Sequence, residues 1–269
     1  MQPLLRAANL VKRYPRKKPG SSREDLVALD GVSFAIVQGT TLAIVGESGS
    51  GKSTLAFCLA CLERPTCGSI WFGDKDIVKL AERDLRQVRP KIQLIFQDPA
   101  NSLNPGWNVL EILSEPMILQ GRTNRNEITR RAHMLLERVG LSSELEERSP
   151  GELSGGQRQR LAIARALTLE PEVLILDEAL SALDCSVQAQ IANLLMELQS
   201  SLGITYLFIT HDLAMAAHLA DEIAVMNRGQ IAEHGPTDKI LNLPQHETTR
   251  QLLAAVPRLP RGTPPGLEQ

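Results

Sequence analysis

Leu42-Ala-Ile-Val45, followed by Gly46, Glu47, Ser48, Gly49, Ser50, Gly51, Lys52, Ser53 and Thr54, is the stretch that decides the fold. The apolar quartet, rich in β-branched residues, predicts a buried strand. The residues after it fit G-x-x-x-x-G-K-[ST] in full and open an apolar helix. Glycines at 46, 49 and 51 let the backbone curl so that its N–H groups face inward, toward phosphate oxygens. A helix opening near Lys52 adds its positive end. Lys52 supplies a compact cation for the β- and γ-phosphates, and the Ser53 hydroxyl is an oxygen ligand for Mg²⁺. Residues 46–54 are therefore the expected cradle of a nucleoside triphosphate.

Outward from the loop, Ile92–Phe96, Val173–Leu176, Tyr206–Ile209 and Ile223–Met226 repeat the same short apolar pattern. Helical stripes lie between them. Val187, Ile191, Leu194, Leu195 and Leu198 share one face, and Gly203 follows as a stop. Strands alternating with helices predict an α/β core. From Asn101 to Gly151 strand signals are scarce. Ile128, Ala132, Leu135, Leu136 and Val139 form a stripe ended by Gly140, so this stretch reads as a helical insertion between two core strands.

The strand at 173–176 ends in Asp177 and Glu178. Acids at the end of a buried strand need a cation or a reacting group. Asp177 suits Mg²⁺, directly or through water, and Glu178 suits positioning and deprotonating an attacking water.

Composition sets outer limits. Basic residues number 29 and acidic ones 31, for a net charge of −2. That balance argues against a protein held on nucleic acid by phosphate contacts alone. No apolar run approaches the ~20 residues of a membrane span, and Met1 to Leu10 lacks the pattern of an export signal. The expectation is a cytosolic chain that reaches a membrane only through a partner. Cys58, Cys61, Cys67 and Cys185 predict no disulfide framework. Cys58 and Cys61 lie in an apolar segment, where thiols pack as small hydrophobes, and no fourth ligand stands near to close a zinc site. Lys12, Arg13, Arg16, Lys17, Lys18 and Arg23 read as a solvated basic loop, with Tyr14 as its lone aromatic. The Pro- and Gly-rich tail after Pro257 reads as mobile.

One more segment narrows the reading. In Leu153-Ser154-Gly155-Gly156-Gln157, Ser154 and Gln157 have the spacing of a capping box, and Leu161, Ala164 and Leu167 continue a helix. This is a second helix N-terminus open to an anion, with a glycine pair that capping alone does not require. With these residues the sequence resembles the ATP-binding cassette (ABC) ATPases over nearly its whole length. Leu153–Gln157 with Arg158-Gln159-Arg160 looks like the signature segment, Ser181-Ala-Leu-Asp184 like the D-loop, Gln97 like the Q-loop glutamine and His211 like the switch histidine. Tyr14 matches the aromatic that stacks on adenine. Ala179-Leu180 depart from the family, which usually has Pro-Thr or Pro-Val there.

The resemblance implies a P-loop NTPase (RecA-like) core, an antiparallel β subdomain and an inserted α-helical subdomain. Residues 1–98 and 160–240 would form the core, 99–159 the helical part and 241–269 an extension. It implies ATP and Mg²⁺, with Ser53, Gln97 and Asp177 at the metal. Glu178, His211 and Gln97 would be catalytic. Ser154, Gly155, Gly156, Gln157 and Asp184 would act across a head-to-tail dimer that sandwiches ATP.

Within the family, Gln97-Asp-Pro-Ala-Asn-Ser-Leu-Asn-Pro105 and His246–Pro257 look like the oligopeptide, dipeptide and nickel importer group, F-type member. No cysteine follows Cys185, so no iron–sulfur centre is expected. The partners implied are a second ABC ATPase, identical or paralogous, two membrane permease subunits and, indirectly, an extracytoplasmic solute-binding protein, with no nucleic acid. The implied location is the cytoplasmic face of the inner membrane, with Gln97 and Asn101–Trp107 as the surface receiving a permease helix. A soluble ATPase of the phosphonate-lyase kind is the alternative, and a non-hydrolysing scaffold subunit a third reading.

Overall fold

The computed structural model describes residues 3–16, 24–97 and 102–255. Two sheets organise them. The first is antiparallel, in the order β2-β1-β4-β5. It is built from β1 (Pro3–Arg16), β2 (Glu24–Val37), β4 (Cys67–Phe72) and β5 (Lys75–Asp76). The second runs β10-β9-β3-β8-β7-β6. Its members are β3 (Thr41–Val45), β6 (Ile92–Ile95), β7 (Val173–Asp177), β8 (Thr205–Thr210), β9 (Glu222–Asn227) and β10 (Gln230–Pro236). All its neighbours pair in parallel except β10, which runs against β9. The four further strands expected from the apolar runs are all present, with Phe96 just outside its strand.

The central segments of β3, β7, β8 and β9 are apolar because both faces are covered. On β3, Leu42 and Ile44 enter one core while Ala43 and Val45 enter another. Strands β7, β8 and β9 divide their residues in the same alternating way. One core lies toward the antiparallel sheet and α1 (Lys52–Leu59). The other lies toward the helices inserted between β6 and β7, namely α3 (Val109–Leu119), α4 (Arg125–Arg138) and α5 (Gly155–Leu167), and toward α6 (Cys185–Leu202). The remaining helices are α2 (Glu82–Val88), α7 (Leu213–Leu219), α8 (Thr237–Asn242) and α9 (Glu247–Ala255).

The predicted stripes are the buried faces. Ile128, Ala132, Leu135 and Leu136 of α4 are buried, and Gly140 turns the chain at φ 71°. Gly203 caps α6 in the left-handed region, where an L side chain is strained. Leu195 on α6 is fully buried. Leu195→Ala is expected to lose about 2–5 kcal/mol by transfer and cavity terms, read as a shift in the urea midpoint.

The basic stretch is not a loop where it is described. Lys12 and Arg13 belong to β1, opposite Leu29 and Val27 of β2. Lys12 is held there because its ammonium donates to the Arg64 carbonyl at 2.8 Å and pairs with Glu63 at 3.1 Å. Arg16 ends the same strand, while Lys17, Lys18 and Arg23 lie outside the described residues, as does the tail after Pro257.

Candidate functional site: a phosphate loop at the strand ends

The predicted site residues come from several distant stretches of chain. Parallel pairing brings the carboxyl ends of β3, β6, β7 and β8 to one edge of the sheet, the edge where α/β folds place ligands. The phosphate loop follows β3, Gln97 lies just past β6, Asp177 and Glu178 close β7, and His211 follows β8.

The loop can only be built from glycine at two points. A Cβ on Gly51 would stand 2.3 Å from the Ala28 carbonyl oxygen, and Gly51 has φ 107°. A Cβ on Gly46 would stand 2.3 Å from the Met226 carbonyl oxygen. The loop is therefore pressed against β2 on one side and the end of β9 on the other. Ser50 is buried with its hydroxyl unpartnered.

Charge is concentrated under the loop. The Lys52 ammonium is 4 % exposed and donates to the carbonyls of Gly46 at 2.8 Å and Glu47 at 2.9 Å. Burial pulls its pKa down, and the Glu178 and Asp177 carboxylates oppose that pull. Ser53 Oγ donates to Asp177 Oδ1 at 3.2 Å. Asp177 is 5 % exposed, and burial raises its pKa above the ordinary 3.8. The Ser53 bond and Lys52 act against that rise; the Glu178 charge adds to it. A buried carboxylate with so little compensation, beside a hydroxyl, is a fitting pair of hard oxygen donors for Mg²⁺.

Glu178 is the meeting point. Gln97 Nε2 donates to its Oε2 at 3.3 Å, His211 Nδ1 lies 3.4 Å from the same oxygen, and Lys52 Nζ lies 3.8 Å from Oε1. Its backbone takes φ 47°, an uncommon conformation for a non-glycine residue. The turn is held because its N–H donates to the Ile209 carbonyl at 2.9 Å, while its own carbonyl accepts from Ser181. Ala179 and Leu180, the pair that departs from the family, are buried immediately after it. Asp212 accepts from the amides of Ala214 and Met215 and so caps α7 directly after His211. That cap escaped the sequence reading, although an Asp before a helix is a legible signal.

Tyr14 stands beside the loop. Its hydroxyl donates to Glu63 Oε2 at 2.5 Å, and the Lys12 ammonium lies 5.0 Å from its ring centre. Burial, then the bond to Glu63, raises the phenol pKa, and the Thr54 hydroxyl acts the other way. Glu63 was not singled out from the sequence because it carries no motif, and Lys12 was read there only as part of a solvated basic loop.

The signature residues stand apart from this cluster. Ser154 caps α5 through a complete capping box with Gln157, at 3.3 Å and 2.8 Å. Among the described residues, no hydrogen bond or ion pair joins 154–157 to 46–54. Gly156 has a packing reason: a Cβ there would come within 2.8 Å of Val187 on α6. Asp184 caps α6, accepting from the Val187 amide at 3.0 Å.

Because the Asp177 charge is penalised by burial, Asp177→Asn is expected to raise the melting temperature of the ligand-free chain at pH 7.5. The raised pKa means that stability falls as pH rises through the interval above 3.8. The gain should therefore shrink as the pH is lowered toward 3.8, as scanning calorimetry across that range would show. A gain that stays constant over that range would assign it to something other than charge.

A family model described as "ABC transporter" matches residues 29–181. The chain is 48 % identical over 259 residues to the dipeptide transport ATP-binding protein DppF of Escherichia coli (strain K12), covering 96 % of this chain and 78 % of that protein. It is 46 % identical over 258 residues to the glutathione import ATP-binding protein GsiA of Pectobacterium atrosepticum, covering 95 % of this chain and 41 % of that longer protein. Among solved structures, the ATP-binding cassette MJ0796, a dimer bound to ADP and Pi, superposes with TM-score 0.77 at 31 % identity, over 87 % of this chain and 98 % of that one. CbiO1 from Clostridium perfringens, part of the ABC transporter complex cbiONQ, superposes with TM-score 0.78 at 30 % identity, over 95 % and 96 %. With sequence, fold and site in agreement, the chain belongs to the ABC transporter ATPase family.

Proposed function

We propose that this chain binds ATP with Mg²⁺ and hydrolyses it to drive import of dipeptides or related small peptides. It works as one of two cassettes beneath two membrane permease subunits, on the cytoplasmic face of the inner membrane. The convergence of Gln97, His211 and Lys52 on Glu178, beside the phosphate loop, carries the reading. The relatives' names supply the cargo class: dipeptide for DppF and glutathione, itself a small peptide, for GsiA. Nothing specific to nickel supports that cargo.

Each residue has a task. The loop amides and Lys52 hold the phosphates, and Tyr14 offers its ring to the base. Ser53 and Asp177 hold Mg²⁺, which when bound screens charge on the phosphates. Glu178 takes the proton of the attacking water, with Gln97 and His211 fixing its Oε2. Ser154, with the Gly155 and Gly156 amides at the free end of α5, serves the partner cassette's nucleotide, and Gln157 fixes that end through the capping box. Asp184 keeps the segment between Glu178 and α6 in place by capping α6.

No helix among the described residues is long and apolar enough to cross a membrane; in this reading separate subunits supply the channel. Their docking place is the cleft of about 210 Å³ beside β6, lined by Phe96, Pro116 and Leu119 together with the Arg165–Glu115 ion pair at 2.8 Å. The sequence pointed to Gln97 and Asn101–Trp107 nearby; Asn101 lies outside the described residues.

Affinity purification of the chain from its native host, followed by ATPase assay of the complex in lipid, tests the proposal. Membrane subunits should co-purify, and a peptide-loaded binding protein should stimulate turnover. Recovery with soluble lyase subunits alone would replace it with the alternative.

A further inference from the structure

The Tyr14 side chain sits in a frame made by two distant stretches of chain. Lys12 and Tyr14 are alternate residues of β1, so the strand turns both side chains to one face. The Lys12 ammonium lies 5.0 Å from the ring centre, close enough for a cation to be drawn to an aromatic face. A base stacking on Tyr14 must therefore take the other face. The second stretch is the turn after α1, the helix whose first residues close the phosphate loop. The amides of Leu62 and Glu63 donate to the Phe57 carbonyl at 2.9 Å and 3.1 Å, tying that turn to the helix.

The turn is laced to β1 without help from the Glu63 side chain. Lys12 Nζ donates to the Arg64 carbonyl at 2.8 Å, the Thr66 amide to the Val11 carbonyl at 2.7 Å, and the Arg13 amide to the Thr66 hydroxyl at 3.0 Å. The Glu63 carboxylate is left for the ring: it accepts from the Tyr14 hydroxyl at 2.5 Å and pairs with Lys12 at 3.1 Å. The bond from Tyr14 first, and Lys12 after it, hold Glu63 below the ordinary carboxylate range against the pull of burial. Burial and that same bond raise the phenol. At neutral pH a proton on the phenol therefore faces a charged carboxylate, the strong form of an O–H···O bond.

We propose that Glu63, braced by Lys12, is a positioning residue that holds the Tyr14 ring ready for the base of a nucleotide, a role that rests on Tyr14 being the platform for that base. A ring already fixed has less rotamer freedom to lose when the base stacks on it. Glu63 is tied to α1, which also carries Lys52 and Ser53, so ring and phosphate cradle are fixed to one element. The effect of Glu63 falls on the base end of the nucleotide and not on the phosphates.

Isothermal titration of the full chain with the non-hydrolysable analogue AMP-PNP and with inorganic triphosphate tests this, since the second ligand has phosphates and no base. Glu63→Ala is expected to weaken AMP-PNP about two- to tenfold, the usual cost of ordering one side chain, and to leave triphosphate unchanged. Tyr14→Phe, which keeps the ring and removes only its tether, should do the same. Glu63→Gln, which keeps an acceptor for the hydroxyl, should recover part of the loss. In a Tyr14→Ala background, Glu63→Ala should cost nothing further, because the ring it positions is gone. AMP-PNP affinity unmoved by Glu63→Ala, an equal loss for triphosphate, or an undiminished loss in the Tyr14→Ala background would overturn the role. Tyr14→Ala alone separates the two claims. A loss of AMP-PNP affinity there, with none in Glu63→Ala, overturns the positioning role and leaves the platform standing. Unchanged affinity there removes the platform and the positioning role together. Should Glu63→Ala fail to fold, Tyr14→Phe decides on the same two ligands.

Discussion

Glutamine in place of Glu178 is expected to leave ATP affinity within about twofold and to reduce turnover by about 10²–10⁴-fold, the usual range for a lost general base. The variant keeps the size of the side chain and an oxygen that Gln97 Nε2 and His211 can address, so the packing around φ 47° at this position is preserved. What it removes is a group able to accept the water's proton. Lys52 loses one carboxylate neighbour at 3.8 Å but keeps its bonds to the Gly46 and Glu47 carbonyls. Phosphate binding is therefore retained. Single-turnover phosphate release and equilibrium nucleotide binding separate the two effects. Turnover within a few-fold of the parent would take the base role away from Glu178.

Lys52→Ala is expected to weaken nucleotide binding by about 10- to 150-fold, the equivalent of one charged hydrogen bond at about 1.5–3 kcal/mol. The ammonium is buried and aimed into the loop, so its charge is little screened. Its removal also leaves Asp177 and Glu178 without their nearest cation. Gly51→Ala separates shape from charge. The added Cβ meets the Ala28 carbonyl at 2.3 Å, where no L residue fits without moving β2 or the loop. That variant should lose nucleotide while keeping Lys52, and a fluorescent-nucleotide titration of both reads the comparison. Unchanged affinity in Lys52→Ala would falsify the assignment of residues 46–54 as the phosphate cradle.

Much of the core was legible because burial on both faces leaves a local trace. Leu42–Val45 and Val173–Leu176 are apolar at every position since alternate residues enter different cores. The stripes of α4 and α6 and their glycine stops were legible for the same local reason. The basic stretch misled because β1 keeps Lys12 in place through partners some fifty residues away, and no local pattern encodes that. Gly156 misled in part: its lack of a side chain is required by Val187 on α6, a contact between separate helices.

By itself the sequence determined the glycine-rich turn from β3 into α1, the strand ending in two acids and the capped helix at Ser154, because each is written within a few consecutive residues. Only the tertiary structure decided that Glu178 is addressed by Gln97, 81 residues away, and by His211. It alone placed Glu63 between Tyr14 and Lys12. Strand order is a property of parallel pairing, which neighbours in sequence do not specify, and it is strand order that brings these side chains within hydrogen-bonding distance.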